Sequence, residues 1–188
     1  RQAAQPAQQS TQAAPRQLGT FRDWAAATYQ DNGQKICYAF ARATKTEPNR
    51  QGVVLTVTHR QGGRDAVALS AGYAYPRNAE VTVSVGQNNL RFYTGGNAAF
   101  AHDGAAAVAA MRNGRTAAAR GPAAGGRGNA NDQFSLAGFG AAYDAFRVNA
   151  QRGEGAHPAH AQHDLLLDAV RAVAPVQPVG DVPVVLGI

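Results

Sequence analysis

Short strand-like segments separated by turn sequences fill the middle of this chain and constrain its fold more than any other feature. Residues 80–85 alternate so that three valines share one face, and residues 86–89 then turn the chain into a second strand at 90–94. Residues 53–59 are rich in β-branched side chains, which favour strands. Several short strands at this spacing are typical of a β-sandwich or a β-barrel. We therefore predict an all-β fold.

Other segments predict further strands and two short helices. Asp103 is a suitable N-cap for a helix over residues 104–113, which Gly114 would end. A second helix is predicted at 141–148, and residues 121–131 are predicted to form a loop rich in glycine and alanine. The remaining predicted strands cover residues 36–42, 66–71, 98–101, 115–120 and 133–136.

Large apolar side chains are scarce, so few residues have to build the core. Alanine supplies 41 of the 188 residues and therefore nearly half of the hydrophobic 45%. No run approaches the roughly 18 apolar residues that a transmembrane helix needs. From the strand alternation, we predict an interior containing Val81, Val83, Val85, Phe92, Phe134 and Leu136, with Trp24 at least half buried.

The chain is basic, with 18 Lys and Arg against 12 Asp and Glu and a net charge of +6. These bases are spread singly, whereas nucleic-acid-binding surfaces cluster them on one face. We therefore predict no nucleic-acid partner, although an anionic membrane surface or an acidic protein patch is compatible with the charge. The single cysteine, Cys37, excludes an intramolecular disulfide and is predicted to be a small buried residue of a strand.

The two ends of the chain differ in composition from its middle. Residues 1–17 are almost all Ala, Gln, Pro, Ser and Thr and are predicted to be flexible, because they offer too little apolar surface to fold. Such a segment indicates the start of a mature exported chain after signal removal, and so a periplasmic location. Residues 18–149 form the predicted sandwich domain. Residues 150–188 form a C-terminal extension of linker, short helix and proline-rich extended tail.

The C-terminal extension carries apolar side chains that are costly to leave in water. Residues 164–174 place leucines and valines at helical spacing, and three prolines then favour an extended tail. Burial on the domain itself and burial on another protein both remain open, and we favour the second. The predicted partner-binding residues are Leu165, Leu166, Leu167, Val170, Val173, Val184, Val185, Leu186 and Ile188.

No catalytic, cofactor-binding or metal-binding residues are predicted. The spacing of His157, His160 and His163 makes a metal site conceivable, but Pro158 opposes a helix there and we favour a solvated cluster. No Gly-x-Ser-x-Gly nucleophile motif occurs, and the carboxylates are dispersed along the chain. Two further histidines are each predicted to stand alone at a strand end or in a turn, namely His59 and His102.

An ordered series of short motifs covers about 130 residues of the chain. It comprises Phe21-Arg22-Asp23-Trp24, Lys35-Ile36-Cys37-Tyr38, Lys45-Thr46-Glu47-Pro48, Val57-Thr58-His59-Arg60, Gly72-Tyr73-Ala74-Tyr75, Phe92-Tyr93-Thr94 and Phe134-Ser135-Leu136-Ala137-Gly138-Phe139. In order and spacing these motifs resemble the invasion-associated locus B family of exported alphaproteobacterial proteins. The resemblance implies a periplasmic or exported protein with an immunoglobulin-like β-sandwich and no catalytic residues.

The chain departs from the family pattern in its tail after Asn149, at Phe100, where Trp is usual, and at two places that bear on possible sites. Family members commonly carry a second cysteine shortly after the last helix, which can pair with the one matching Cys37, whereas residues 147–150 contain none here. The turn after Thr94 is usually richer in Asp, whereas residues 95–97 carry no carboxylate. The resemblance therefore implies neither a disulfide nor a cation site in this chain.

The function we predict is that of a non-enzymatic periplasmic interaction protein, an accessory subunit docking on a larger exported or membrane-bound complex. A small sandwich with long extensions at both ends suits the holding of partners. One alternative is a secreted or surface factor that promotes host-cell entry, as the family name suggests. A hydrolase or redox enzyme is the weakest alternative, because no nucleophile or cofactor motif supports it.

Overall fold

The computed structural model describes residues 14–60 and 62–151, which contain eleven strands and two α-helices. The helices are α1 (Gly104–Asn113) and α2 (Phe139–Gln151), and neither is long and apolar enough to span a membrane. The strands are β1 (Arg16–Phe21), β2 (Trp24–Asp31), β3 (Gln34–Arg42), β4 (Lys45–Glu47), β5 (Val54–Arg60), β6 (Gly63–Ser70), β7 (Glu80–Val85), β8 (Asn88–Gly95), β9 (Ala98–Ala101), β10 (Thr116–Pro122) and β11 (Asn129–Ser135).

All strands pair antiparallel in one sheet, in the order β1-β2-β3-β5-β6-β9-β8-β7-β10-β11-β4. β4 closely follows β3 in the chain, yet it lies at the far end of the sheet. The two residues between these strands bridge both halves, because Ala43 N donates to Val53 O at 3.0 Å and Thr44 N donates to Gln133 O at 2.8 Å. The sheet is therefore folded over, with its two halves facing each other.

Both halves of the folded sheet contribute to one hydrophobic core. Trp24 and Leu55 come from the first half, and Val83 and Phe134 come from the second. The predicted all-β, immunoglobulin-like sandwich with two short helices is confirmed, and its two layers prove to be parts of one sheet joined by the pairing of β6 with β9. The predicted core is also confirmed, since all six of its residues and Trp24 are buried.

The first helix begins and ends where the sequence predicts. Asp103 Oδ1 accepts a hydrogen bond from Ala106 N at 2.9 Å, which satisfies one of the free amides of the first turn. Gly114 follows the helix, and a Cβ there would lie 2.2 Å from Val85 Cγ1. A glycine is therefore required where the chain passes so close to β7.

The predicted loop over residues 121–131 is wrong at both of its ends. β10 continues to Pro122, and β11 begins at Asn129. Three buried alanines alternate inward on these strands, namely Ala117, Ala119 and Ala130. Alanine has low strand propensity, and its small side chain makes the apolar–polar alternation of a strand hard to see in the sequence. Pairing with neighbouring strands, which local propensity does not reveal, holds these segments extended.

The limits of the predicted domain stay a prediction, because residues 1–13 and 152–188 lie outside the described residues. β1 begins at Arg16 and so includes the last two residues of the segment predicted to be flexible. α2 ends at Gln151, just beyond the predicted domain end at residue 149. The predicted helix at 164–174, the nine partner-binding residues and the cluster of His157, His160 and His163 lie outside the described residues.

Candidate functional site

The most chemically suggestive group in the domain joins β5, β6 and α2. His59 Nε2 lies 2.8 Å from Asp65 Oδ1, and the Tyr143 hydroxyl donates to the same oxygen at 2.6 Å. The imidazole is 2% exposed and packs edge-on against the rings of Tyr143 and Phe146, with centroids 5.4 and 4.7 Å away. The prediction that His59 stands alone is therefore wrong. The same prediction for His102 is also wrong, because its ring packs against Tyr93 with centroids 5.2 Å apart, although it does lie in a bend between β9 and α1.

Local backbone geometry brings Asp65 to this position. The β5–β6 register shifts between Thr58 and Arg60, and Asp65 itself takes a left-handed φ of 56°. The first residue of α1 packs directly on it, since a Cβ at Gly104 would lie 1.7 Å from Asp65 O. The hairpin therefore carries the carboxylate to a point where both helices meet the sheet.

Burial determines the protonation of this cluster. It lowers the pKa of His59, and this effect outweighs the opposite one of the hydrogen bond to Asp65. The neutral imidazole then donates its Nε2 hydrogen to the carboxylate. Burial, together with the hydrogen bond to Asp65, raises the pKa of Tyr143 to about 12, so the phenol keeps its proton.

The same contacts limit what the cluster can do chemically. An Asp–His pair forms part of hydrolytic triads, in which the second imidazole nitrogen faces a nucleophile and a substrate. Here aromatic rings pack against His59, and its exposed fraction leaves no room for a substrate. Instead, the His59–Asp65 bond closes the β5–β6 hairpin, and the Tyr143–Asp65 bond ties that hairpin to α2.

The stability of the protein should depend on pH through His59. Because folding lowers the pKa of this group, the unfolded chain takes up a proton first, and the melting temperature should fall as pH drops below about 6.5. Thermal unfolding monitored between about pH 7 and pH 5 measures this effect. His59→Phe should make the melting temperature depend less on pH. His102→Gln, at a half-exposed site, should leave the pH dependence unchanged. An unchanged slope in His59→Phe would contradict the assignment.

A second buried polar group joins the segment around β4 to β11. Arg50 forms an ion pair with Asp132 and donates to Ala71 O at 3.1 Å, and its guanidinium lies over the ring of Tyr73. Burial raises the pKa of Asp132, and the ion pair with Arg50 opposes this change. The Tyr73 hydroxyl donates to Pro122 O at 2.6 Å. These polar groups bind one another or main-chain carbonyls, so this cluster holds loops in place.

One prediction about the site is confirmed, and one contact was not predicted. Cys37 is buried and free, as predicted, with Sγ 3.6 Å from Thr28 Oγ1. Within residues 14–60 and 62–151 no group of three or more His, Cys, Asp and Glu side chains is arranged to hold a metal ion. Sequence reasoning missed the pairing of His59 with Asp65, although the two lie only six residues apart across a predicted hairpin.

Comparison with known proteins gives a family and a fold. The family model described as Invasion associated locus B (IalB) protein matches residues 24–147. The crystal structure of invasion associated protein B from Bartonella henselae is similar to this chain, with a TM-score of 0.53 and 22% sequence identity over 72% of this chain and 98% of the other. No curated protein matches the sequence.

Proposed function

This chain belongs to the invasion-associated locus B family, and on that premise we propose that it is a non-enzymatic interaction protein. In this proposal it is exported to the periplasm and docks as an accessory subunit on a larger exported or membrane-bound complex. Its basic charge is compatible with an acidic protein patch or an anionic membrane surface near that complex.

The observation that carries the proposal is how the buried polar side chains are used. Asp65 binds both His59 and Tyr143, and Arg50 binds Asp132, so these polar groups of the described domain stabilise the fold. Catalysis needs such groups to face a substrate within hydrogen-bond reach. Their internal pairing supports a protein that acts through its surfaces and extensions.

The proposed partner contact is the C-terminal extension. It carries large apolar residues between Leu165 and Ile188, which are costly to leave in water. Each side chain of this kind contributes about 1.5–3 kcal/mol when it is fully buried. A segment that orders on its partner can cover a large surface at modest affinity per area. This suits a subunit held permanently at high local concentration.

Deletion of residues 160–188 is expected to abolish association with the partner. The full-length chain and the deletion variant, each with an N-terminal tag, would be purified from solubilised cell envelopes and passed over a gel-filtration column. The full-length chain should elute in a stoichiometric complex, and the deletion variant should elute alone.

The matched control removes residues 1–13, which lie at the other end of the chain, and should retain the complex. Retention of the complex after deletion of 160–188, or a full-length chain that elutes alone from envelope extracts, would refute the proposal.

The structural match favours a second candidate function. The Bartonella henselae protein with this fold is called invasion associated protein B. By this analogy the chain would be a secreted or surface factor that promotes host-cell entry. Recovery of the protein in the culture medium, together with lower host-cell entry by a deletion strain, would support this candidate over the envelope complex.

A further inference from the structure

One face of the sheet points away from the core along β2, β3 and β5. Strand alternation sends Cys37, Leu55 and Val57 into the core, and their neighbours to the opposite side. We call this opposite side the outer face, and define it by Tyr29, Ile36, Tyr38, Thr56 and Thr58. Tyr38 lies directly opposite Thr58 in the strand register, and the Tyr29 and Tyr38 rings meet with centroids 5.8 Å apart.

The outer face is buried although neither described helix lies on it. Ile36 and Thr58 are each 1% exposed and Tyr38 is 3% exposed. The buried residues of α1 and α2 all belong to the core on the other side of the sheet. A sheet face that is open to solvent leaves its side chains partly exposed, so strand neighbours alone do not account for such burial.

Two further properties indicate a covering segment. Burial raises the pKa of Tyr38, as expected for a phenol removed from water. The Thr58 hydroxyl is fully buried and has no hydrogen-bond partner among the described residues. Since buried polar groups in proteins are almost always satisfied, this hydroxyl points to a polar group brought in by the covering segment.

The end of α2 lies near the start of β3, on the other side of the sheet from this face. Lys35 Nζ donates to Asn149 O at 2.7 Å, and strand alternation places Lys35 on the same side as Cys37. Residues 152–163 can extend over roughly 40 Å, enough to pass around the sheet edge. The predicted helix at 164–174 would be about 16 Å long, the width of three to four strands.

Charge also favours contact between the C-terminal extension and the rest of the chain. Residues 152–188 carry four acidic side chains against two basic ones, whereas the rest of the chain is strongly basic. On a helix, Leu166, Leu167, Val170 and Val173 fall on one side, and that apolar side complements the aromatic and aliphatic outer face.

We propose that residues 164–174 pack their apolar side against the outer face of the chain's own sheet. This docking does not rest on the proposed function. It narrows the partner contact proposed above, because Leu166, Leu167, Val170 and Val173 then bind the domain. The terminal residues Val184, Val185, Leu186 and Ile188 are left for a partner. The assignment of the terminal part does rest on the proposed function.

Nitration of Tyr38 in the purified full-length protein tests the docking without any partner. Leu166→Glu/Val170→Glu places two carboxylates on the apolar side of the predicted helix. The matched control, Leu165→Glu/Ala172→Glu, places the same charges on the opposite side. Tetranitromethane modification of each tyrosine would be followed by mass spectrometry, with Tyr93 on β8 as the internal reference.

We expect Tyr38 to react roughly tenfold faster in Leu166→Glu/Val170→Glu, since local opening governs access, and at the wild-type rate in the control. The melting temperature should fall in the first variant only. Equal Tyr38 protection in both variants would overturn the proposal. Protection that is lost on dilution or on removal of residues 1–13 would also overturn it, because a second copy or the N-terminal segment would then cover the face.

Discussion

Phe134→Ala is expected to lower the free energy of unfolding by about 3–5 kcal/mol, because it removes a large, fully buried ring. Phe134 is fully buried on β11, and it belongs to the cluster that joins the two halves of the sheet. Its ring is among the few large side chains in an alanine-rich interior, so small neighbours cannot fill the cavity. Urea-induced unfolding at equilibrium measures the loss.

Val148→Ala provides the control for this truncation. Val148 is 41% exposed on α2, so its removal should change the free energy of unfolding by less than about 0.5 kcal/mol. Near-wild-type stability of Phe134→Ala would contradict both the inward position of this residue on β11 and the shared core.

Arg50→Met is expected to cost about 3–5 kcal/mol, because it leaves the Asp132 carboxylate buried without its partner. The Asp132 side chain is 4% exposed, and that of Arg50 is 12% exposed. The double variant Arg50→Met/Asp132→Leu should recover much of the loss, since replacing both partners by apolar groups removes the unpaired charge. Chemical unfolding of the two single variants and the double variant gives the coupling free energy.

The loss in Arg50→Met should also depend on pH. Burial already raises the pKa of Asp132, and removal of the guanidinium raises it further. Protonation of the folded state then neutralises the buried carboxylate, so the deficit should shrink as pH falls toward about 4. Arg91→Met breaks an exposed ion pair with Glu80 and should cost only about 0–1 kcal/mol. A similarly small cost for Arg50→Met would refute the role of the buried pair.

Local patterns in the sequence determined those elements whose stabilising contacts lie close together in the chain. The β7–β8 hairpin is an example, because its three valines alternate and only residues 86 and 87 separate its strands. α1 is another, since its Asp103 cap and Gly114 stop are neighbours of the helix they limit. The burial of Cys37 followed from strand alternation alone.

The tertiary structure alone decided where distant segments meet. Asp65 and Tyr143 are 78 residues apart, and Arg50 and Asp132 are 82 residues apart. A pattern of neighbouring residues therefore could not predict either contact. β10 is rich in alanine and β11 in Asn, Asp and Gln, which favour strands little, so pairing with neighbouring strands holds both extended. The sequence by itself therefore determined the β class, the hairpins and the first helix. The buried polar clusters arose from long-range packing, which depends on the geometry of the whole folded sheet.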